Sequence, residues 1–272
     1  MTDNANQRIE YARTADGVSI AYSTMGAGPP VVYVPPAPFT HLQMELRIPE
    51  HRRWHERLAE RHTLVRYDAR WSGLSERAGA EYSLDGLVLD LEAVANRLEL
   101  ERFALVGFFH AGAVALAYAA RHQTRVSRVV LWASAPDVGM YLSEPQMQGL
   151  VALIDKDWEL FTESTAAAWL GWSSGEPARR FAAMIRAAAT PETMRAFVDG
   201  LSHMDVTPLL PEVTSPTLVL HSSSDNAPPL EWASALAAQI PNARLALIER
   251  EAPSPLVGRC GAGSEHDRAV SR

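Results

Sequence analysis

The chain has 272 residues, 47% hydrophobic and 21% charged, which suits one large α/β core and argues against a long disordered region. Its formal charge of −7 speaks against nucleic acid as a partner, because that binding rests on clustered Lys and Arg. The single Cys260 excludes an internal disulfide and fits a reducing compartment; no apolar run reaches membrane-spanning length, and the opening MTDNANQRIEYAR lacks the apolar segment of a signal peptide. A cytoplasmic protein with no membrane partner is expected.

In chain order, RIEYART and VSIAYSTMG flank Asp16-Gly17, a hairpin signal that predicts an antiparallel start. PPVVYVP, HTLVRYDA, RFALVGF, VSRVVLWAS, TLVLHSS and ARLALIE then read as buried strands, with helical patterns over 50–61, 84–98, 110–122 and 230–239. This alternation predicts an eight-stranded, mostly parallel sheet with helices on both faces. From 139 to 210 the pattern is helical with no strand, which reads as an inserted cap. The core is then 1–138 and 211–258, and 259–272 is an irregular tail with no apolar spacing.

Three segments carry a family resemblance. YDARWSGLSE holds Asp68, Arg70, Gly73 and Ser75; FALVGFFHAGAVALAYAARH has a tight strand-to-helix turn; SPTLVLHSSSDNAPPLEWA carries Asp225 after a strand. Together, and in this order, they resemble the α/β-hydrolase superfamily from Tyr11 to about Gly258, in particular the hydrolase-like modules found alone or fused to bacterial regulators and cyclases. The resemblance implies the α/β-hydrolase fold and a Ser-His-Asp triad. Phe109, however, stands at the nucleophile position of the G-x-S-x-G turn and has no lone pair to attack with. Pro253 stands where the resemblance places the base His, and PPAP replaces the oxyanion segment, so Pro35 and Pro36 offer no backbone N–H. Asp225 alone aligns with a catalytic role. Ser134 and Ser222 to Ser224 lie at strand ends without an adjacent base, and read as turn caps.

Three groups remain for acid–base work. His110 follows Phe109 at the start of the turn's helix, whose positive end disfavours an imidazolium, so the ring is expected neutral and able to accept a proton. Alternatively it fills space under the cap and bonds to a backbone carbonyl. His41 and Glu45 share a face if their segment is helical, giving either a general acid–base pair or an exposed pair with no role. His51 and His55 also share a helix face, but the segment lacks the H-E-x-x-H order and a third ligand, so a solvated face and no metal are expected. MGAGPP is not a dinucleotide loop, because prolines stand where a helix would begin, and no cofactor is expected.

The pocket is expected to be lined by Pro35, Pro36, Trp71, Phe108, Phe109, His110, Trp169 and His203. The leading functional expectation is a pseudo-hydrolase that binds a small apolar ligand for sensing or regulation. The alternatives are a hydrolase or lyase using His110, His41 with Glu45, or Asp225 without a Ser-His-Asp triad, and a homodimeric interaction module.

Overall fold

The computed structural model describes residues 7–77, 82–170, 175–222 and 228–248. Asp225, Pro253, Cys260 and the 259–272 tail lie outside the described residues. The eight apolar runs form the eight strands β1 (Glu10–Arg13), β2 (Ser19–Met25), β3 (Pro30–Val34), β4 (Thr63–Tyr67), β5 (Phe103–Phe108), β6 (Val126–Trp132), β7 (Thr217–Ser222) and β8 (Ala243–Ile248). They join one sheet in the order β1-β2-β4-β3-β5-β6-β7-β8. β2 pairs antiparallel with both β1 and β4, and every pairing from β4 through β8 is parallel. The central strands are buried on both faces, and their side chains are correspondingly apolar along nearly their whole length.

Helices α1 (Leu42–Glu45) and α2 (Pro49–Ala59) follow β3, α3 (Leu84–Arg97) follows β4, and α4 (Ala111–Arg121) follows β5. Ser83 starts α3 by accepting the Gly86 N–H at 3.2 Å, a side-chain cap that the sequence advertises by placing Ser ahead of an apolar helical pattern. Between β6 and β7 run α5 (Met140–Ser143), α6 (Pro145–Val151), α7 (Trp158–Leu170), α8 (Glu176–Ala188) and α9 (Pro191–Leu201), then a short 3-10 helix, Thr207–Glu212. Helix α10 (Leu230–Gln239) precedes β8. No helix among the described residues is long and apolar enough to cross a membrane.

The YDARWSGLSE segment is a structural clip. The buried Asp68 carboxylate accepts the backbone N–H of Leu42 at 3.0 Å and of Leu74 at 2.9 Å, tying the turn after β4 to the start of α1. A Cβ at Gly73, where φ is 52°, would lie 2.1 Å from that carboxylate, so this close approach needs glycine. Arg70 pairs with the buried Asp90 at 2.9 Å and with Asp16 at 2.8 Å, fastening α3 and the β1–β2 turn to the same clip.

Candidate active site

The tight turn between β5 and α4 is built although its middle residue is not a serine. Phe109 sits at φ 50°, a left-handed conformation that a bulky residue adopts only when its surroundings impose it. Its N–H donates to Trp132 O at 3.0 Å, and its carbonyl accepts from Gly112 N at 3.1 Å, fixing the turn from both sides. Gly107 makes the turn possible: a Cβ there would lie 2.9 Å from both Ala111 O and Gly112 Cα. Gly107→Ala should therefore cost about 1–3 kcal/mol, the range for overpacking, as read from the urea midpoint.

The turn opens on a cavity of about 540 Å³ between the sheet's end and the helices that follow β6, walled by Phe39, Phe109, His110, Tyr141, Trp169, Phe197 and Trp232 among others. Phe109 stacks on Trp169 with centroids 4.9 Å apart, and Phe39 touches both Trp169, at 4.8 Å, and Phe197, at 5.4 Å. The volume suits a small apolar molecule.

His110 is a titratable residue on this wall. Its Nε2 lies 2.7 Å from Ala37 O, and since a carbonyl can only accept, Nε2 carries the proton and Nδ1 keeps its lone pair. The ring is bonded to a backbone carbonyl, as the second of the two expectations has it, and it lines the cavity. Tyr82 donates to the same carbonyl at 2.9 Å, anchoring the loop after β3 to the turn. Burial pushes the imidazole down to about 4, only partly opposed by the Ala37 bond, so it is neutral at pH 7. Burial, rather than the helix dipole, is the main cause. No side chain caps α4.

The other expectations divide. Phe109 and Trp169 line the 540 Å³ cavity, whereas Pro36 and Phe108 line only a smaller space beside the turn. Pro35 is buried in the loop, its carbonyl accepting Ala37 N at 2.8 Å, and is absent from both cavity walls. Trp71 packs half-buried against the core, and His203 is turned to the surface, bonded to Ser202 Oγ at 2.9 Å and Asp199 O at 3.0 Å; neither lines either of the two cavities at the turn.

The His41/Glu45 pair needs correction. His41 caps α1 through Nδ1, which accepts Gln43 N at 3.3 Å, while the Glu45 carboxylate binds the Arg66 guanidinium. The pair is neither exposed nor a dyad, because an unshared Arg on the buried strand β4 competes for the carboxylate and wins. The solvated face expected for His51 and His55 is corrected too. Both are buried, at 3% and 0% exposure, because they continue the inward stripe of α2 that ends in Leu58. Among the described residues no cluster of three or more His, Cys, Asp or Glu is placed to hold a metal ion.

Sequence reasoning also missed Tyr33, Thr40 and Arg66, which with Glu45 and His51 form a buried polar cluster beside Phe109. Tyr33, Thr40, Glu45 and His51 line a second, much smaller cavity of about 20 Å³, bounded also by Phe39, Phe109 and Trp169. The Arg within the strand TLVRY was the available signal, since a strand buried on both faces tolerates a charge only with a buried partner.

A family model described as "alpha/beta hydrolase fold" matches residues 47–252. The chain is 29% identical to the 2-hydroxymuconate semialdehyde hydrolase of a Pseudomonas species, covering 78% of this chain and 74% of that one. It is 27% identical to the 2-hydroxy-6-oxo-2,4-heptadienoate hydrolase of Pseudomonas putida, over 95% of this chain and 91% of the other. Among solved structures, the enol-lactonase from Burkholderia xenovorans superposes with a TM-score of 0.71 at 22% identity, covering 96% of each chain. These findings correct the expectation of a pseudo-hydrolase that binds without reacting, since the similar proteins are named as working hydrolases. A phenyl group at position 109 closes the route through an acyl-enzyme at that residue and leaves the cavity beside the turn in place. Carrying the fold from β1 to β8 and the family match across most of its length, the chain belongs to the α/β-hydrolase superfamily.

Proposed function

We propose that the protein hydrolyses a small apolar ester, lactone or related acyl compound held in the 540 Å³ cavity, without forming an acyl-enzyme at residue 109. The observation that carries this reading is His110: a neutral imidazole on the cavity wall, its Nε2–H committed to Ala37 and its Nδ1 lone pair left to accept a proton. Phe109 has no atom able to bond to an acyl carbon, so water must add to the substrate directly, and His110 takes its proton. The wall of Phe39, Trp169 and Phe197 supplies apolar contact to the substrate.

The test is a panel of small activated esters and lactones with intact-mass spectrometry on the quenched reaction. Repeated turnover with no mass added to the protein, and no labelling by a fluorophosphonate, is the expected result. A covalent adduct on any serine would refute direct water attack, and no turnover on any substrate would refute hydrolysis.

A further inference from the structure

A wall of aromatic rings separates two unlike spaces at the turn. The large cavity is walled mainly by aromatic and aliphatic side chains, with His110, Glu144, Gln146 and Thr165 among them. The small cavity on the other side of Phe39, Phe109 and Trp169 is different. Tyr33 Oη, Thr40 Oγ1 and His51 Nδ1 are buried there, at 1%, 2% and 3% residue exposure, and bond to no protein group among the described residues. Glu45, 3% exposed and tied to Arg66, lines the same space. A buried hydroxyl or imidazole left without a partner is costly, and three such atoms on residues that line one small space call for an occupant able to bond to them. The occupant's size is set by the volume. About 20 Å³ admits one water and nothing larger, and a stable buried water needs two to four polar partners, a number that Tyr33 Oη, Thr40 Oγ1 and His51 Nδ1 can supply from an otherwise apolar wall.

We propose that this cavity seats a single ordered water, held by Tyr33, Thr40 and His51 beside Glu45, and that this is the water consumed in hydrolysis. The second half of the proposal rests on the hydrolase reading above. Phe109 borders both cavities, so a shift of its ring opens the way from the seat to a carbonyl held in the large cavity. The water oxygen bonds to the acyl carbon as its O–H bond breaks. That proton passes to His110 Nδ1, and then to the leaving oxygen as the acyl C–O bond breaks. Tyr33, Thr40 and His51 are positioning residues: they fix where the oxygen starts and leave substrate binding to the aromatic wall.

Two near-isosteric variants, Thr40→Val and Tyr33→Phe, test both halves. A high-resolution crystal structure of the whole protein should show one water within hydrogen-bond distance of Thr40 Oγ1 and Tyr33 Oη. Each variant should lose that water and lower kcat about tenfold with KM within about twofold, while Thr40→Ser retains near-normal kcat. A dry cavity, with Thr40→Val raising the melting temperature because an unpaired hydroxyl has been removed, would overturn the seat. An ordered water with kcat unchanged in both variants would overturn its catalytic role and leave hydrolysis standing. If the wild-type protein turns over nothing, the hydrolase reading fails and the catalytic role with it, while the density and the melting temperatures still decide whether the seat exists.

Discussion

Arg66→Met should destabilise the fold by about 3–5 kcal/mol, the cost of removing one member of a buried ion pair and leaving the other. Arg66 is 1% exposed and Glu45 3%, and the guanidinium holds α1 from two sides, through the Glu45 carboxylate and through Leu42 O at 3.0 Å. Two of its nitrogens, Nε and Nη1, have no partner among the described residues, so the pair is not an optimal electrostatic solution. The double variant Arg66→Met/Glu45→Met should therefore recover most of the loss, since replacing both charges together removes the desolvation penalty along with the attraction. A pH arm follows from Glu45, whose carboxyl burial already holds above its ordinary value against the pull of Arg66. Without Arg66 it rises further. A carboxyl raised in the folded state takes up its proton there first, so the single variant's deficit should narrow as pH falls from about 8 to about 5. Urea denaturation of the three proteins at both pH values measures this; equal losses in the single and double variants would refute the coupling.

The sheet was readable because its signal is repeated and apolar. Eight runs of Val, Leu, Ile and Tyr bounded by Gly, Pro and polar residues can only be buried in turn, and β7 and α10 fall where the pattern puts them. The turn was readable for the same reason: Gly107 is demanded by backbone approach, and its packing constraint survives whatever residue stands at 109. The polar cluster was not readable. In EHRRWHERL the inward stripe is His51, His55 and Leu58, and two histidines among three arginines and two glutamates look like a solvated face until Tyr33 and Trp54 are seen packed on His55, at 5.6 and 5.1 Å. Likewise His41 and Glu45 have the spacing of a dyad, and only the strand pairing of β4 with β3 brings Arg66 beneath the carboxylate. Spacing along one helix reports which side chains share a face and says nothing of what the facing strand supplies. Which residues line the cavity is decided the same way, which is why Trp169 reaches it and His203 does not.

His110→Gln should lower kcat/KM about 100-fold, the lower end of what a positioned acid–base group contributes. The lower end is appropriate because the imidazole's acidity is poorly matched to neutral pH: burial holds it at about 4, so it is always available as a base at pH 7 but binds a proton weakly. Glutamine is the informative replacement, since its amide N–H can still donate to Ala37 O and keep the loop after β3 in place, while its side chain cannot accept a proton from water. The pH profile carries a second, independent signature. A base that ionises at about 4 leaves wild-type kcat/KM on a plateau at neutral pH and gives an acid limb near that value, and the limb should vanish in the glutamine variant. Stability moves in the same direction for a different reason. The ring's folded-state value lies below its ordinary one, so the unfolded chain binds the extra proton first, and this residue's contribution to stability falls away as pH drops from about 6.5 toward about 4. Kinetics must therefore be read on protein shown to be folded at each pH by circular dichroism. Should the glutamine variant keep full kcat/KM and the same acid limb, the proton goes elsewhere, and His110 serves only to tie the loop to the turn.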